Sequence, residues 1–436
     1  MIRKPVLAAF LLAVSLTAAP IAAQAPEIQA ATITDFDRRA AQLVDLLNGA
    51  IAFAHYFDPS FQAALPEAQF KTMTAGLVAQ YGPPIAVEKA VSNDGHSGSL
   101  SLRFEKGVAA VLLDVGPGHD ARVIGLRLTG FEMADDSFEK VAAEITALPG
   151  TSGFLVAQLD GNTVRSLAAA NADRQFAVGS TFKLYILDEL AAQVAAKKRH
   201  WSDVVPLSQL SFSSAGTANW PKDTKVTLQS LANWMISVSD NSATDTLIHL
   251  LGRDTIEARM RAAGHSAPSR NVPFLTTVEA FALKGNNFES ERTAFITGDD
   301  AAQRKLIESN QSRLILANVD GVSFAGGPRY IDSLEWFASP NDVARLMIDL
   351  RDRNSPTAMS VMAINPGVNP GATKDWAWLG YKGGSELGVI SMSLLGQRKS
   401  DGKWVFITAS WNNPDAPVAT ETLVGLVTRL LALAAK

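Results

Sequence analysis

The sequence predicts a small α+β domain followed by an α/β sandwich, and three observations carry that reading. Two helical stretches near the start give way to short alternating strands, the order that builds a one-sheet α+β unit. Pro149-Gly150 then interrupts the chain at its best candidate boundary. Beyond it, strands stand at both ends of the remaining chain with helices between, so one sheet must draw on both ends of a single domain.

The chain has 436 residues, 47% of them hydrophobic, which is enough for two filled cores. Residues 1–25 read as a secretory signal peptide: Arg3 and Lys4, an apolar stretch over 6–17, then small residues at Ala23-Gln24-Ala25. Pro20 and the short apolar run argue against a membrane anchor. The expectation is a secreted or periplasmic protein with no membrane contact once the leader is removed. Losing that leader takes the formal charge from −4 to −6, and there is no basic block, so nucleic acid is not an expected partner. The chain has no cysteine, which excludes disulfides, thiolate metal sites and a lipid-modified cysteine. Its six histidines are scattered without ligand spacing, so neither a metal nor a cofactor is expected.

The first domain, 31–148, opens with a helical period at Phe36, Leu43, Leu46 and Leu47 and a second helix over 66–81 that stops at Gly82-Pro83-Pro84. Leu100, Leu102 and Phe104 alternate with polar residues, 108–113 is an apolar run, and Ile124, Leu126 and Leu128 alternate again, all divided by glycine turns. A helix over 137–148 closes the unit. In the second domain, 151–436, segments 153–159 and 164–168 flank Asp160-Gly161-Asn162 as a hairpin. Helices follow up to about 352, apart from an unassigned polar insert over 284–310. Ser339-Pro340 reads as an N-cap with proline at the first helical position. Segments 381–395 and 403–411 read as two strands, and 418–435 as an amphipathic closing helix.

Chemistry concentrates at Ser180-Thr181-Phe182-Lys183. A serine hydroxyl is a weak nucleophile at its own pKa, and a lysine three residues on stands one turn away on the same face. Burial would disfavour the ammonium and leave a neutral amine to take the serine proton. Ser137…Lys140 and Ser400…Lys403 repeat the spacing, but in a polar acidic stretch and a glycine turn, whereas Ser180 opens a long apolar helix after a strand. Two further clusters follow. Ser239-Asp240-Asn241 comes 59 residues after Ser180, before an apolar helix, and Lys382-Gly383-Gly384-Ser385 starts a strand after Tyr381. Alone, the first is a common helix cap and the second a common turn.

Together and in this order, they make the chain resemble the serine β-lactamases and penicillin-binding proteins, class A above all, whose pattern is S-x-x-K, S-D-N and K-T-G. The resemblance covers about 151–436 and implies a β-lactamase/transpeptidase-like sandwich. It also implies roles: Ser180 as acyl-forming nucleophile, Lys183 as its base, Ser239 as proton shuttle, and Lys382 holding the Ser239 pKa and drawing a substrate carboxylate. Asn241 would bind the substrate's side-chain amide, the N–H groups of Ser180 and Ser385 would form the oxyanion hole, and Gly384 would allow close backbone approach. Asp240 would tie the turn. Two departures stand out. Gly383 replaces the usual hydroxyl residue, and no E-x-x-L-N follows the second cluster, leaving Glu279 as a candidate deacylation base in different company. The arrangement also resembles secreted hydrolases of clavulanic acid gene clusters, which carry a steroid-isomerase-like (cystatin- or NTF2-like) domain in front. The function implied is an exported serine hydrolase that forms an acyl-enzyme with β-lactams or related esters and releases it slowly. A carboxylesterase or D-Ala-D-Ala peptidase and a non-catalytic penicillin sensor are the alternatives. The expected partner is a small-molecule substrate, with the hydrolase domain or cell-wall material as partners of the first domain.

Overall fold

Two sheets and three hydrophobic layers organise the computed structural model, which describes residues 33–118, 120–160 and 163–436. The expected leader and His119 lie outside these residues. Helices α1 (Asp35–Ala41) and α2 (Leu43–Leu47) divide the first expected helix, α1 starting from a Thr34 capping box. Two short helices not foreseen, α3 (Phe53–Tyr56) and α4 (Pro59–Ala64), precede α5 (Glu67–Tyr81). Strands β1 (Pro84–Ser92), β2 (Ser97–Phe104), β3 (Gly107–Val115) and β4 (Val123–Met133) then form an antiparallel meander in chain order. Leu100, Leu102 and Phe104 share one face with Ala109, Val111 and Leu113 and meet Phe36, Leu43 and Tyr56. Irregularities at Pro84/Ala86 and Val87/Lys89 break the alternation of β1, which is why its sequence does not read as a strand.

Helix α6 (Phe138–Thr146) was expected to close this unit, yet its apolar stripe goes elsewhere. Val141 and Ile145 pack with Phe154, Val156, Leu426 and Leu430 under the second sheet, so the chain changes core at 134–137, before α6, and not at Pro149-Gly150. An amphipathic helix records that it has an apolar face, not which sheet receives it.

The second sheet begins with β5 (Thr151–Asp160) and β6 (Thr163–Ala170), followed by the short β7 (Phe176–Ala177) and, after a 3-10 turn at Gly179–Phe182, α7 (Lys183–Ala195). A ribbon of β8 (Val204–Pro206) and β9 (Lys225–Thr227) leads to α8 (Leu228–Ser237), α9 (Asn241–Leu251), α10 (Arg253–Ala262) and α11 (Thr277–Lys284). The unassigned insert contains two helices, α12 (Glu289–Thr297) and α13 (Asp300–Ser309). Strand β10 (Phe337–Ala338) pairs with β7, and α14 (Pro340–Asp352) starts at the expected Ser339 cap. After α15 (Pro356–Ala363) come β11 (Trp376–Glu386), β12 (Val389–Arg398), β13 (Trp404–Asn412) and α16 (Thr420–Ala434).

The sheet order is β11-β12-β13-β5-β6, all antiparallel, so strands from both ends of the unit do meet. The segment expected as one strand over 381–395 is the end of β11, a turn, and most of β12. Both faces of β12 are buried, so no alternation marked the division. Ile390, Met392 and Leu394 face α6 and α16, while Leu395 and Phe406 face the layer of α7, α8 and α9. Each such side chain contributes about 1.5–3 kcal/mol when fully buried. No described helix is long and apolar enough to cross a membrane.

Candidate active site

The 3-10 turn that carries Ser180 is bolted to the sheet by hydroxyls. Ser391 on β12 donates to Val178 O at 2.7 Å and accepts from Thr181 Oγ1 at 2.6 Å, and Val178 N donates to Trp336 O at 2.9 Å. Phe182 stacks on Trp336 with ring centroids 3.9 Å apart. These ties leave Ser180 half-buried while Thr181, Phe182 and Lys183 are buried. Residues three apart nearly eclipse in such a turn, which sets Ser180 and Lys183 on one side.

Lys183 Nζ donates to Ser239 O at 2.6 Å, Ser239 Oγ at 3.2 Å and Asn241 Oδ1 at 2.6 Å. Lys382 Nζ reaches the same hydroxyl from β11, 3.0 Å from Ser239 Oγ, and also donates to Gly383 O at 2.5 Å. Four of the residues singled out in the sequence therefore form one network. Ser180 Oγ stands beside it with no hydrogen bond to a described residue. Ser239 can present both its carbonyl and its hydroxyl to Lys183 because it has φ 60°, in the left-handed region. Asp240 holds that turn, accepting from Gly216 N at 2.9 Å, Thr217 N at 2.8 Å and Ala243 N at 2.8 Å, the last of these capping α9.

Burial sets the protonation of both lysines. Lys183 is held well below the ordinary lysine value by burial and then by the Lys382 charge, against the pull of Asp245 and Asp240. Burial lowers Lys382 to about 7. Asp245 is itself raised to about 6 by burial, although Thr277 N and Val278 N donate to it at 2.7 and 2.9 Å.

The start of the turn lies tightly against β11. A Cβ on Gly384 would fall on Val178 O and Ser180 N, and one on Gly179 would lie 3.0 Å from Ser385 N. Only a glycine at 384 lets β11 lie this close to the turn, with Ser180 N and Ser385 N on the two facing stretches. Ser180 N is among the first N–H groups of its turn, which have no partner inside the turn.

Glu279 is not part of this arrangement. Its carboxylate accepts from Arg253 Nη2 at 2.8 and 3.0 Å and from Thr276 N at 2.8 Å, closing a capping box at the start of α11. It touches neither Ser180 nor Lys183, so its candidacy as the deacylation base is withdrawn. Ser137, of the first look-alike pair, caps α6 by accepting from Lys140 N at 3.3 Å, and Ser400 lies in the turn before β13. Among the described residues no group of histidine and carboxylate side chains is placed to hold a metal.

Five neighbours escaped the sequence reading. Phe212, Phe281 and Phe324 form a half-exposed aromatic trio with centroids 5.3–5.7 Å apart, and Phe212 O accepts from Asn241 Nδ2 at 2.8 Å. They come from three distant segments, and nothing local marks them. Asp245 sits mid-helix in α9, and Tyr381 immediately before Lys382 reads as an ordinary strand residue.

The model of the β-lactamase enzyme family matches residues 136–363, just over half of the chain, and spans Ser180, Lys183, Ser239 and Asn241. The chain belongs to the β-lactamase enzyme family. The match starts just before α6, where the structure changes core, and stops short of β11, so Lys382, Gly384 and Ser385 rest on geometry. No curated protein matches. Among solved structures, the β-lactamase of Sphaerobacter thermophilus is 20% identical, with 68% of this chain and 95% of that one covered at a TM-score of 0.46. A β-lactamase from Chitinophaga pinensis is 16% identical over 68% and 96% at 0.44. The one from Francisella tularensis is 16% identical over 68% and 97% at 0.45. The arrangement sets a half-buried hydroxyl one turn from a buried amine, with a second hydroxyl shared by two lysines, a chemistry that nucleophilic acyl transfer can use.

Proposed function

We propose that the protein is an exported serine hydrolase that forms an acyl-enzyme on Ser180 with β-lactams or related esters and releases it slowly. The Lys183 site carries this reading: a fully buried amine, depressed by burial and by Lys382, shares the Ser239 hydroxyl with that second lysine. In this reading neutral Lys183 takes the Ser180 proton, and Oγ adds to the substrate carbonyl. The oxygen that gains charge is held by the N–H groups of Ser180 and Ser385. Ser239 passes a proton to the leaving group.

Water must then attack the ester, and that step needs a base of its own. Glu279 is engaged by Arg253, and among the described residues no carboxylate contacts Lys183 or Ser239. General-base assistance contributes about 10²–10⁴-fold, so its absence adds roughly 3–5 kcal/mol to the second barrier only. A burst followed by slow turnover of a penicillin is expected, with an intact adduct on Ser180 by mass spectrometry after minutes. Ser180→Ala is expected to abolish labelling by a fluorescent penicillin. Equal labelling of that variant, or burst-free hydrolysis without an adduct, refutes the reading. Gly383 offers no hydroxyl to a carboxylate, and this favours a second reading as a carboxylesterase, told apart by faster turnover of an aryl ester than of nitrocefin. Export rests on the 1–25 leader, and a cystatin- or NTF2-like fold for the first unit is supported by its helices packed on one antiparallel sheet.

A further inference from the structure

Three buried ionisable groups meet beside the Ser180 turn, and the acylation scheme uses none of them. Lys284 Nζ, at the end of α11, donates to Glu335 Oε1 at 2.6 Å and to Glu386 Oε1 at 2.5 Å. The side chains of Lys284 and Glu335 are 2% exposed and that of Glu386 18%, so the cluster is closed to bulk water on most sides. Glu386 ends β11 on the face that Lys382 and Gly384 share, as alternation along a strand requires, and pairs with Val389, which packs on Ala177, Ile331 and Phe337. Glu335 precedes Trp336 and accepts its backbone N–H at 3.1 Å.

The two carboxylates belong to the two walls of the turn. On one side Trp336 O accepts from Val178 N and the indole stacks on Phe182; on the other, Gly384 lies against Val178 O and Ser180 N. One ammonium therefore clamps both walls. The helix end that carries it is held in turn, with Arg329 Nε donating to Lys284 O at 3.0 Å and Arg292 Nη1 to Gly285 O at 2.7 Å. One cation against two carboxylates leaves an unbalanced buried charge unless a proton is retained, and burial disfavours such a charge. Burial first, and then the Glu335 charge, push the Glu386 carboxyl up to about 8 against the pull of Lys284. Burial lowers Lys284, but the two carboxylates outweigh it and keep the ammonium. Further charged groups on the elements around the cluster are Arg292 and Arg329 at the α11 end, Asp320 against Gly285, Asp332 beside Arg270, and Lys382 farther back on β11.

We propose that Glu386 is a positioning residue for the Ser385 N–H, and that the proton it shares with Glu335 is a switch on acylation: with the proton in place the two walls stay clamped about the turn, and without it they part. This rests on the proposed acyl-enzyme reading and adds a control on its first step. Losing the proton also puts a net negative charge next to Ser385, where it opposes the oxygen that gains charge.

Acylation by a neutral aryl ester is followed by stopped flow at about pH 7 and about pH 9, on either side of the Glu386 titration. Glu386→Gln keeps a neutral partner for Lys284 and leaves one carboxylate on one ammonium, so no proton is needed. Between the two pH values the parent is expected to slow by about 10–30-fold relative to Glu386→Gln, because a carboxylate within about 10 Å of the reacting oxygen acts on it at an effective dielectric constant of about 20. Glu386→Asp, whose shorter side chain falls short of Lys284, is expected to be slow at both. The same pH profile in the parent and in Glu386→Gln overturns the assignment. A second readout does not need turnover: the amide resonance of Ser385, in protein isotope-labelled at serine and identified through Ser385→Ala, is expected to move between the two pH values in the parent and to stay in place in Glu386→Gln. An unmoved resonance in the parent overturns the assignment as well, whether or not Ser180 acylates, which the adduct measurement decides by itself.

Discussion

Gly384→Ala puts one methyl group into the tightest contact of the site, so its consequence can be worked from distances. The new Cβ would stand 2.7 Å from Gly179 C and closer still to Val178 O and Ser180 N, whereas real Cβ contacts essentially never fall below 3.0 Å. These are backbone atoms that cannot rotate away. The turn carrying Ser180 must therefore retreat from β11 by about 1 Å, and misplacement on that scale can cost about 100-fold in rate. The retreat also parts the N–H groups of Ser180 and Ser385, and losing one oxyanion donor typically costs about 10²–10³-fold, or roughly 2.7–4 kcal/mol. Acylation by nitrocefin, followed by stopped flow under single-turnover conditions, is expected to slow by about 10²–10³-fold in Gly384→Ala. Gly383→Ala is the control. Its methyl falls on the Tyr381 hydroxyl and lies 3.1 Å from Ser391 O but meets no atom of the turn that carries Ser180, so a much smaller loss of acylation by a neutral ester is expected. An acylation rate in Gly384→Ala within about threefold of the parent would refute the convergence of the two N–H groups, provided the variant melts as a folded protein.

Two further outcomes follow from the site. Glu279→Gln removes the charge that Arg253 holds from 2.8 Å but preserves an acceptor for the α11 cap, so thermal denaturation should show a loss of about 1–3 kcal/mol while the rate of adduct release is unchanged. Lys382 titrates at about 7 because burial disfavours its charge, so it is an ammonium below that pH and a neutral amine above it. Binding of a penicillin as its free acid to Ser180→Ala should therefore weaken as pH rises through 7 and take up a proton in calorimetry run in buffers of different ionisation enthalpy. The methyl ester of the same penicillin should show neither effect.

Local features were legible in the sequence and long-range ones were not. Ser180 and Lys183 could be paired because three residues along a turn fix their relation whatever else the chain does. Ser239 and Lys382 could be linked to them only by the order of three short patterns. Their shared hydroxyl, 3.2 Å from one amine and 3.0 Å from the other, is a product of packing. The part Glu279 plays was written locally, since Thr276 and Glu279 have the spacing of a capping box, and the structure chooses that role over catalysis. Tyr381 could not be read, because its ring rests against Gly367 from a separate loop. The same holds for α6, whose stripe fits two sheets on paper and packs on the second.

The two lysines explain how one site can want both a cation and a base. Their nitrogens flank Ser239 Oγ at 3.2 and 3.0 Å and so can be no farther apart than the two contacts end to end. At an effective dielectric constant of about 20, two ammoniums over such a span repel by about 3 kcal/mol or more, equivalent to roughly two pKa units. Near neutral pH the pair therefore favours a single proton, and its titration belongs to the pair. Asp245 and Asp240 pull that proton toward Lys183, but burial and the Lys382 charge outweigh them and hold the Lys183 amine low. An anionic group arriving at Lys382 holds the proton there more firmly. Binding a carboxylate-bearing substrate then keeps Lys183 neutral as Ser180 needs it, so the group that selects the substrate also steadies the base.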